Sequence, residues 1–140
     1  LWEFQAKRQG IPAQARVMII DRTGILYKLY KLADIAFVGG SFRREVHNVM
    51  EPAGFGVPVL FGPLVKNSME ALWLKERKGG FVVQDSEGLY QQLRLFLDDE
   101  EKRKEAGRKA YQLVLDNQGA GEKILDLLVK NFPEIFKAGA

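Results

Sequence analysis

At 140 residues, 46% hydrophobic and 28% charged, the chain is long enough to bury one sizeable core and has the composition of an ordinary globular domain. The absence of cysteine excludes a disulfide framework, a thiolate zinc site and a cysteine nucleophile, and a single histidine argues against a metal centre. A net charge of +3, with Lys102, Arg103, Lys104, Arg108 and Lys109 following Asp98, Asp99, Glu100 and Glu101, describes a solvated helix face rather than the basic stripe of a nucleic-acid binder.

In chain order, Leu1–Gly10 is charged and lacks a signal-peptide pattern, so export is not expected, and no later run is long enough for a membrane span. Arg16–Asp21 (RVMIID) reads as a buried strand. Leu26, Leu29, Tyr30 and Leu32 recur at helical spacing. Asp34–Val38 is a second strand ended by Gly39-Gly40, and a short helical stretch follows near Asn48–Phe55. Val57–Phe61 is a third strand closed by Gly62-Pro63; Ser68–Glu76 reads as helix and Phe81–Gln84 as a fourth strand. From Ser86 onward the pattern is helical, with Leu89, Leu93, Phe96 and Leu97 on one stripe, Leu113 and Val114 on a second helix, and Ile124, Leu125, Leu128 and Val129 on a third beyond Gly119–Gly121.

Continuous apolar strands alternating with helices predict an α/β fold: a Rossmann-like parallel sheet with helices on both faces and a helical C-terminal region. Such sheets take ligands beyond the carboxyl ends of their strands, here after Asp21, Val38 and Phe61. The unusual residues cluster there: Thr23-Gly24-Ile25 after Arg22; Gly39-Gly40-Ser41 with Arg43, Arg44, Glu45, His47, Asn48 and Glu51; and Gly62-Pro63 with Lys66 and Asn67.

Glycines at 39 and 40 permit a tight turn and a close approach of backbone to a ligand, and the Ser41 hydroxyl can bond a phosphate oxygen. A helix starting at Asn48 offers free N–H groups to an anion, and Glu51 one turn in can accept from both hydroxyls of a ribose. The competing reading is structural. Asn48-x-x-Glu51 also has capping-box spacing, and on spacing alone capping is the stronger of the two. Pro52 complicates a cap, because it removes a donor in the first turn.

The run Ala33–Ser41 (ADIAFVGGS) resembles the AD-x-AFVGGS segment of the 3-deoxy-D-manno-octulosonic acid (Kdo) transferases. His47–Ala53 resembles their HN-x-x-E-x-A segment, Gly56–Pro63 their PV-x-x-GP strand and loop, and Asn117–Ala120 their N-x-GA. The pieces stand in family order at near-family spacing. The resemblance implies a GT-B glycosyltransferase that transfers Kdo from CMP-Kdo to a lipid A precursor at the cytoplasmic face of the inner membrane. It further implies that this chain is part of the C-terminal, donor-binding domain. By resemblance, the nucleotide-sugar site comprises Thr23, Gly24, Ile25, Gly40, Ser41, His47, Asn48, Val49, Met50 and Glu51, with Glu51 on the ribose. No catalytic residue, cofactor or metal is expected within residues 1–140; the catalytic carboxylate and the acceptor site belong to the N-terminal domain, so the chain alone is expected to be inactive.

Departures from the family pattern are also legible. Ile25 stands where the family often carries Glu, and the loop from Ser41 to His47 is shorter and lacks paired glycines, which leaves Arg43, Arg44 and Glu45 without an inherited role. Two early strands are expected to lie outside the chain, leaving Val17, Ile19, Ile35 and Phe37 at an exposed edge; Arg16–Asp21 is then expected either to pair directly with the strand at Ile35–Val38 or to associate with another copy. The alternatives are another GT-B enzyme using a UDP-sugar, of the lipid A disaccharide synthase or epimerase type, and a non-enzymatic α/β binding module. Membrane-surface association through basic residues is the lesser reading of the charge pattern.

Overall fold

The computed structural model describes residues 14–21 and 23–137. The readings of Leu1–Gly10 and Arg22 fall outside them. In Val57–Phe61 every residue is apolar, a pattern that is stable only where both faces of a strand are covered. Its core becomes β2, Val59–Phe61, the centre of a three-stranded sheet between β1, Ala36–Val38, and β3, Gly80–Val82. All pairing is parallel, with Phe37 opposite Leu60 and Leu60 opposite Phe81. Val59, Leu60 and Phe61 are completely buried.

Helix α1, Leu26–Leu29, continues as a 3-10 turn through Leu32 and precedes β1. Then come α2, Met50–Ala53; α3, Met69–Glu76; α4, Ser86–Asp98; α5, Glu100–Asp116; α6, Ala120–Asn131; and α7, Pro133–Lys137. The alternation of side chains along β2 assigns the helices to the sheet faces. Val59 and Phe61 meet Val49, Ala53, Ala71, Leu74, Ala110 and Leu113, from α3, α5 and the segment around α2. Leu60 faces the opposite way, into Phe96, Ala106, Leu89 and Leu93 of α4 and α5. Leu97, grouped with the α4 stripe by spacing, is exposed instead. The expected parallel sheet with helices on both faces is therefore present.

Local chemistry sets the helix starts. Ser68 accepts from the Ala71 N–H at 3.1 Å, Asp85 from Gly88 at 2.8 Å and Asp99 from Lys102 at 3.0 Å. Each is a side-chain cap of the kind that stabilises a helix by about 1 kcal/mol. Asp99 also ends α4, and Arg103 locks that corner by donating to the Phe96 carbonyl at 2.8 Å and meeting Asp34 at 3.4 Å.

One expectation is overturned. Arg16–Asp21 forms no strand, and Val17 and Ile19 are 80% and 83% exposed. Apolar content alone does not make a strand; the backbone must find a partner, and β1 bonds only to β2 among the described residues. Direct pairing of the two segments is thus absent. Phe37 on the edge strand is 46% exposed, as expected for an open edge, whereas Ile35 packs against the Leu60 cluster. The apolar residues of α6 form the expected helix, but none is buried.

Helix α5 reaches the sheet only because small residues face it. A Cβ on Gly107 would stand 2.0 Å from the Gly56 carbonyl oxygen, and one on Gly79 would stand 2.6 Å from the Ala110 nitrogen. Gly107→Ala is therefore expected to destabilise the fold by about 1–3 kcal/mol, despite the better helix propensity of alanine. Urea unfolding checks this; an unchanged midpoint would show that α5 can shift without loss.

Candidate functional site

Parallel pairing brings the carboxyl ends of β1 and β2 to the same side, and the loops that follow them meet there. The contact is a buried hydrogen bond: the Gly62 N–H donates to Ser41 Oγ at 2.7 Å, and the Leu64 N–H donates to the Ser41 carbonyl at 2.9 Å. Ser41 is 0% exposed, so its side chain braces the two loops. Beside it, Gly40 has φ +95°, and a Cβ there would meet the Glu45 carbonyl at 2.1 Å and the His47 ring at 3.0 Å. Only glycine fits that backbone and that gap. The Gly40 carbonyl accepts from Arg43 and Arg44, each at 3.1 Å, and the Gly39 carbonyl accepts from His47 at 3.3 Å, closing the loop on itself.

Loop closure delivers Asn48 to the start of α2. Asn48 Oδ1 accepts from the Met50 N–H at 3.0 Å, and its amide donates to Glu51 Oε1 at 3.1 Å. This is an Asx turn rather than a full capping box: Glu51 reaches the side chain of Asn48, not its backbone N–H. The Asn48 amide thereby orients an exposed carboxylate. Val49, by contrast, is core, so only its backbone is available at the surface. A cleft of about 320 Å³ runs from Val46–Met50 to Asn67, Ser68 and Glu70, while Lys66 does not line it.

Thr23, Gly24 and Ile25 form the turn that starts α1. Gly24 has φ +81°, and the Ile25 carbonyl accepts from Lys28 at 3.0 Å. An aromatic group that the sequence reading did not assemble joins this segment to α2. Phe55 stands at i+4 from Glu51 and meets Tyr27 edge-on at 4.9 Å and Tyr30 at 6.2 Å between ring centroids. Tyr27 and Tyr30 stand at i, i+3, the one sequence signal that could have paired them. Burial, and secondarily the Glu51 carboxylate, raise the Tyr30 phenol above its ordinary value. The expected site residues therefore fall into two groups: Gly40–Glu51 in one continuous loop and helix start, and Thr23–Ile25 in the turn before the helical segment whose Tyr27 and Tyr30 meet Phe55. Among the described residues, no helix is long and apolar enough to cross a membrane.

No family model matches the chain. It is 34% identical over 116 residues to the 3-deoxy-D-manno-octulosonic acid transferase of Haemophilus influenzae, covering 81% of this chain and 27% of that protein. The enzyme of the same name from Rickettsia bellii is 31% identical over 82% of this chain and 28% of its own length. That from Chlamydia muridarum is 43% identical over 61% of this chain and 20% of its own. The C-terminal CMP-Kdo binding domain of WaaA from Acinetobacter baumannii has the same fold, with a TM-score of 0.62 and 24% identity over 68% of this chain and 51% of that one. The sequence matches relate the chain to the Kdo transferases, of whose length it spans little more than a quarter.

The Tyr30–Glu51 proximity has a measurable consequence. A phenol whose folded value is raised favours the protonated fold. Stability is then full below the ordinary tyrosine range, near 10, and falls as pH rises from there through the raised value. Glu51→Gln is expected to lower the Tyr30 titration without returning it fully to normal, because burial is the larger cause. Phenolate absorbance, with Tyr30→Phe identifying the signal, checks this; an unmoved titration would mean that the two groups do not sense each other.

Proposed function

We propose that this segment of a Kdo transferase holds the CMP moiety of CMP-Kdo, the donor from which such an enzyme moves Kdo to a lipid A precursor. The observation that carries the reading is the Asn48–Glu51 pair, a carboxylate oriented by an amide at a helix start on the carboxyl-end side of a parallel sheet. Glu51 Oε1 accepts from Asn48, and Oε2 is left to accept from a ribose hydroxyl. The loop around Gly40 supplies N–H groups to the phosphate; the start of α2 adds little, because the Met50 N–H is held by Asn48 Oδ1 and Pro52 carries none. Ser41 acts through Gly62, as the brace that holds this backbone in place. Thr23–Ile25, tethered through Tyr27, Tyr30 and Phe55, closes the nucleoside side, with Ile25 contributing through its backbone.

In this reading residues 1–140 belong to a donor-binding domain, and they perform no proton transfer. The acceptor site and the general base lie in the part of the enzyme outside the matched quarter. The whole enzyme works at the cytoplasmic face of the inner membrane, where a lipid acceptor is presented. The runner-up, a UDP-sugar enzyme, uses the same turn and helix-borne carboxylate and differs in the base it accepts.

Calorimetric titration with CMP and UDP separates the readings. CMP is expected to bind in preference to UDP. A charge-assisted hydrogen bond is worth about 1.5–3 kcal/mol, so Glu51→Gln is expected to weaken CMP binding by about 10- to 100-fold. Preference for UDP would favour the runner-up. Unchanged CMP affinity together with a lower melting temperature would leave Asn48 and Glu51 a purely capping role.

A further inference from the structure

We propose that Arg43 and Arg44 form the subsite for the carboxylate of the donor sugar; the assignment rests on the CMP-Kdo reading above. A cleft of about 1120 Å³ is lined by Gly40, Phe42, Arg43, Arg44, Glu45 and Val46 together with His47. It shares Val46 and His47 with the cleft that runs along Asn48 to Met50. The arginines therefore line a cleft that adjoins the one at the start of α2.

The loop that carries them is held at both ends. Before them, Ser41 is hydrogen-bonded to Gly62, and Phe42 stacks on Phe37 at 6.3 Å and fills the space against Gly62. After them, Val46 is part of the core. Between these anchors both arginine N–H groups bond the Gly40 carbonyl. Among the described residues neither guanidinium forms an ion pair; Arg108 and Lys66 form none either, and what sets Arg43 and Arg44 apart is their place together in the cleft that adjoins Asn48. Glu45 lines the same cleft and pairs with neither.

The ligand chemistry fits this placement. An ulosonic acid carries its carboxylate on the carbon that also bears the glycosidic oxygen, so in its CMP conjugate the carboxylate sits a few bonds from the phosphate. Two neighbouring anions need separate counter-charges. If the glycine loop at Gly40 takes the phosphate, the arginine pair on the same loop takes the carboxylate, for which the planar guanidinium fork is suited. The pair would then distinguish an acidic sugar from a neutral one.

The test compares affinities for CMP and CMP-Kdo in the unsubstituted chain and in the double variant Arg43→Gln/Arg44→Gln, with circular dichroism as the folding check. The ratio of the two affinities is expected to fall by about tenfold in the variant, with CMP binding held within about twofold. Arg43→Lys/Arg44→Lys, which keeps charge and loses the fork, is expected to fall between. An unchanged ratio overturns the assignment, and equal weakening for both ligands moves the arginines to the phosphate and overturns it too. If the unsubstituted chain binds neither ligand, the CMP-Kdo reading fails first and the subsite falls with it. Binding of CMP with a ratio insensitive to the arginines overturns the subsite alone.

Discussion

The geometry of this surface depends on one buried hydrogen bond, from the Gly62 N–H to Ser41 Oγ. It joins the loop after β1 to the loop after β2, and parallel pairing guarantees that these loops emerge on the same side. Because the serine is completely buried, removing its oxygen would strand an amide, a loss of about 1–3 kcal/mol. Everything functional in the loop hangs from that tie. Gly40 turns immediately before it, Phe42 packs immediately after it, and Asn48 is delivered by the same closure. A hydroxyl in a glycine-rich turn invites assignment to a ligand; here it supports the backbone that can meet one.

The sheet was legible because its strands are apolar on both faces. Asp34–Val38, Val57–Phe61 and Phe81–Gln84 each contain or overlap an observed strand, and Ser68 caps the helix that its spacing suggests. Arg16–Asp21 reads just as apolar and forms no strand, because periodicity reports what a segment can bury and not whether a neighbour is there to pair with it. At Asn48 the structure shows the capping side of the choice that the spacing left open. The Asx turn caps the helix start and, through the same side chain, aims Glu51.

What the sequence withheld is long-range. Nothing local announces that Gly107 must face the Gly56 carbonyl, or that Arg103 will join the Phe96 carbonyl to Asp34. Both depend on where α5 lands after the reversal at Asp99. The link between Thr23–Ile25 and Glu51 is of the same kind. It runs through Phe55 and two tyrosines that look like ordinary core residues until α1 is laid beside α2.

The electrostatic order of the surface follows from these placements. The Glu51 carboxylate stands in the first turn of α2, with one oxygen engaged by the Asn48 amide. Tyr30 is partly buried, and that burial first and the Glu51 carboxylate second raise its phenol above the ordinary value. Arg43 and Arg44, unmatched by any described acid, line the cleft that adjoins the one at Asn48.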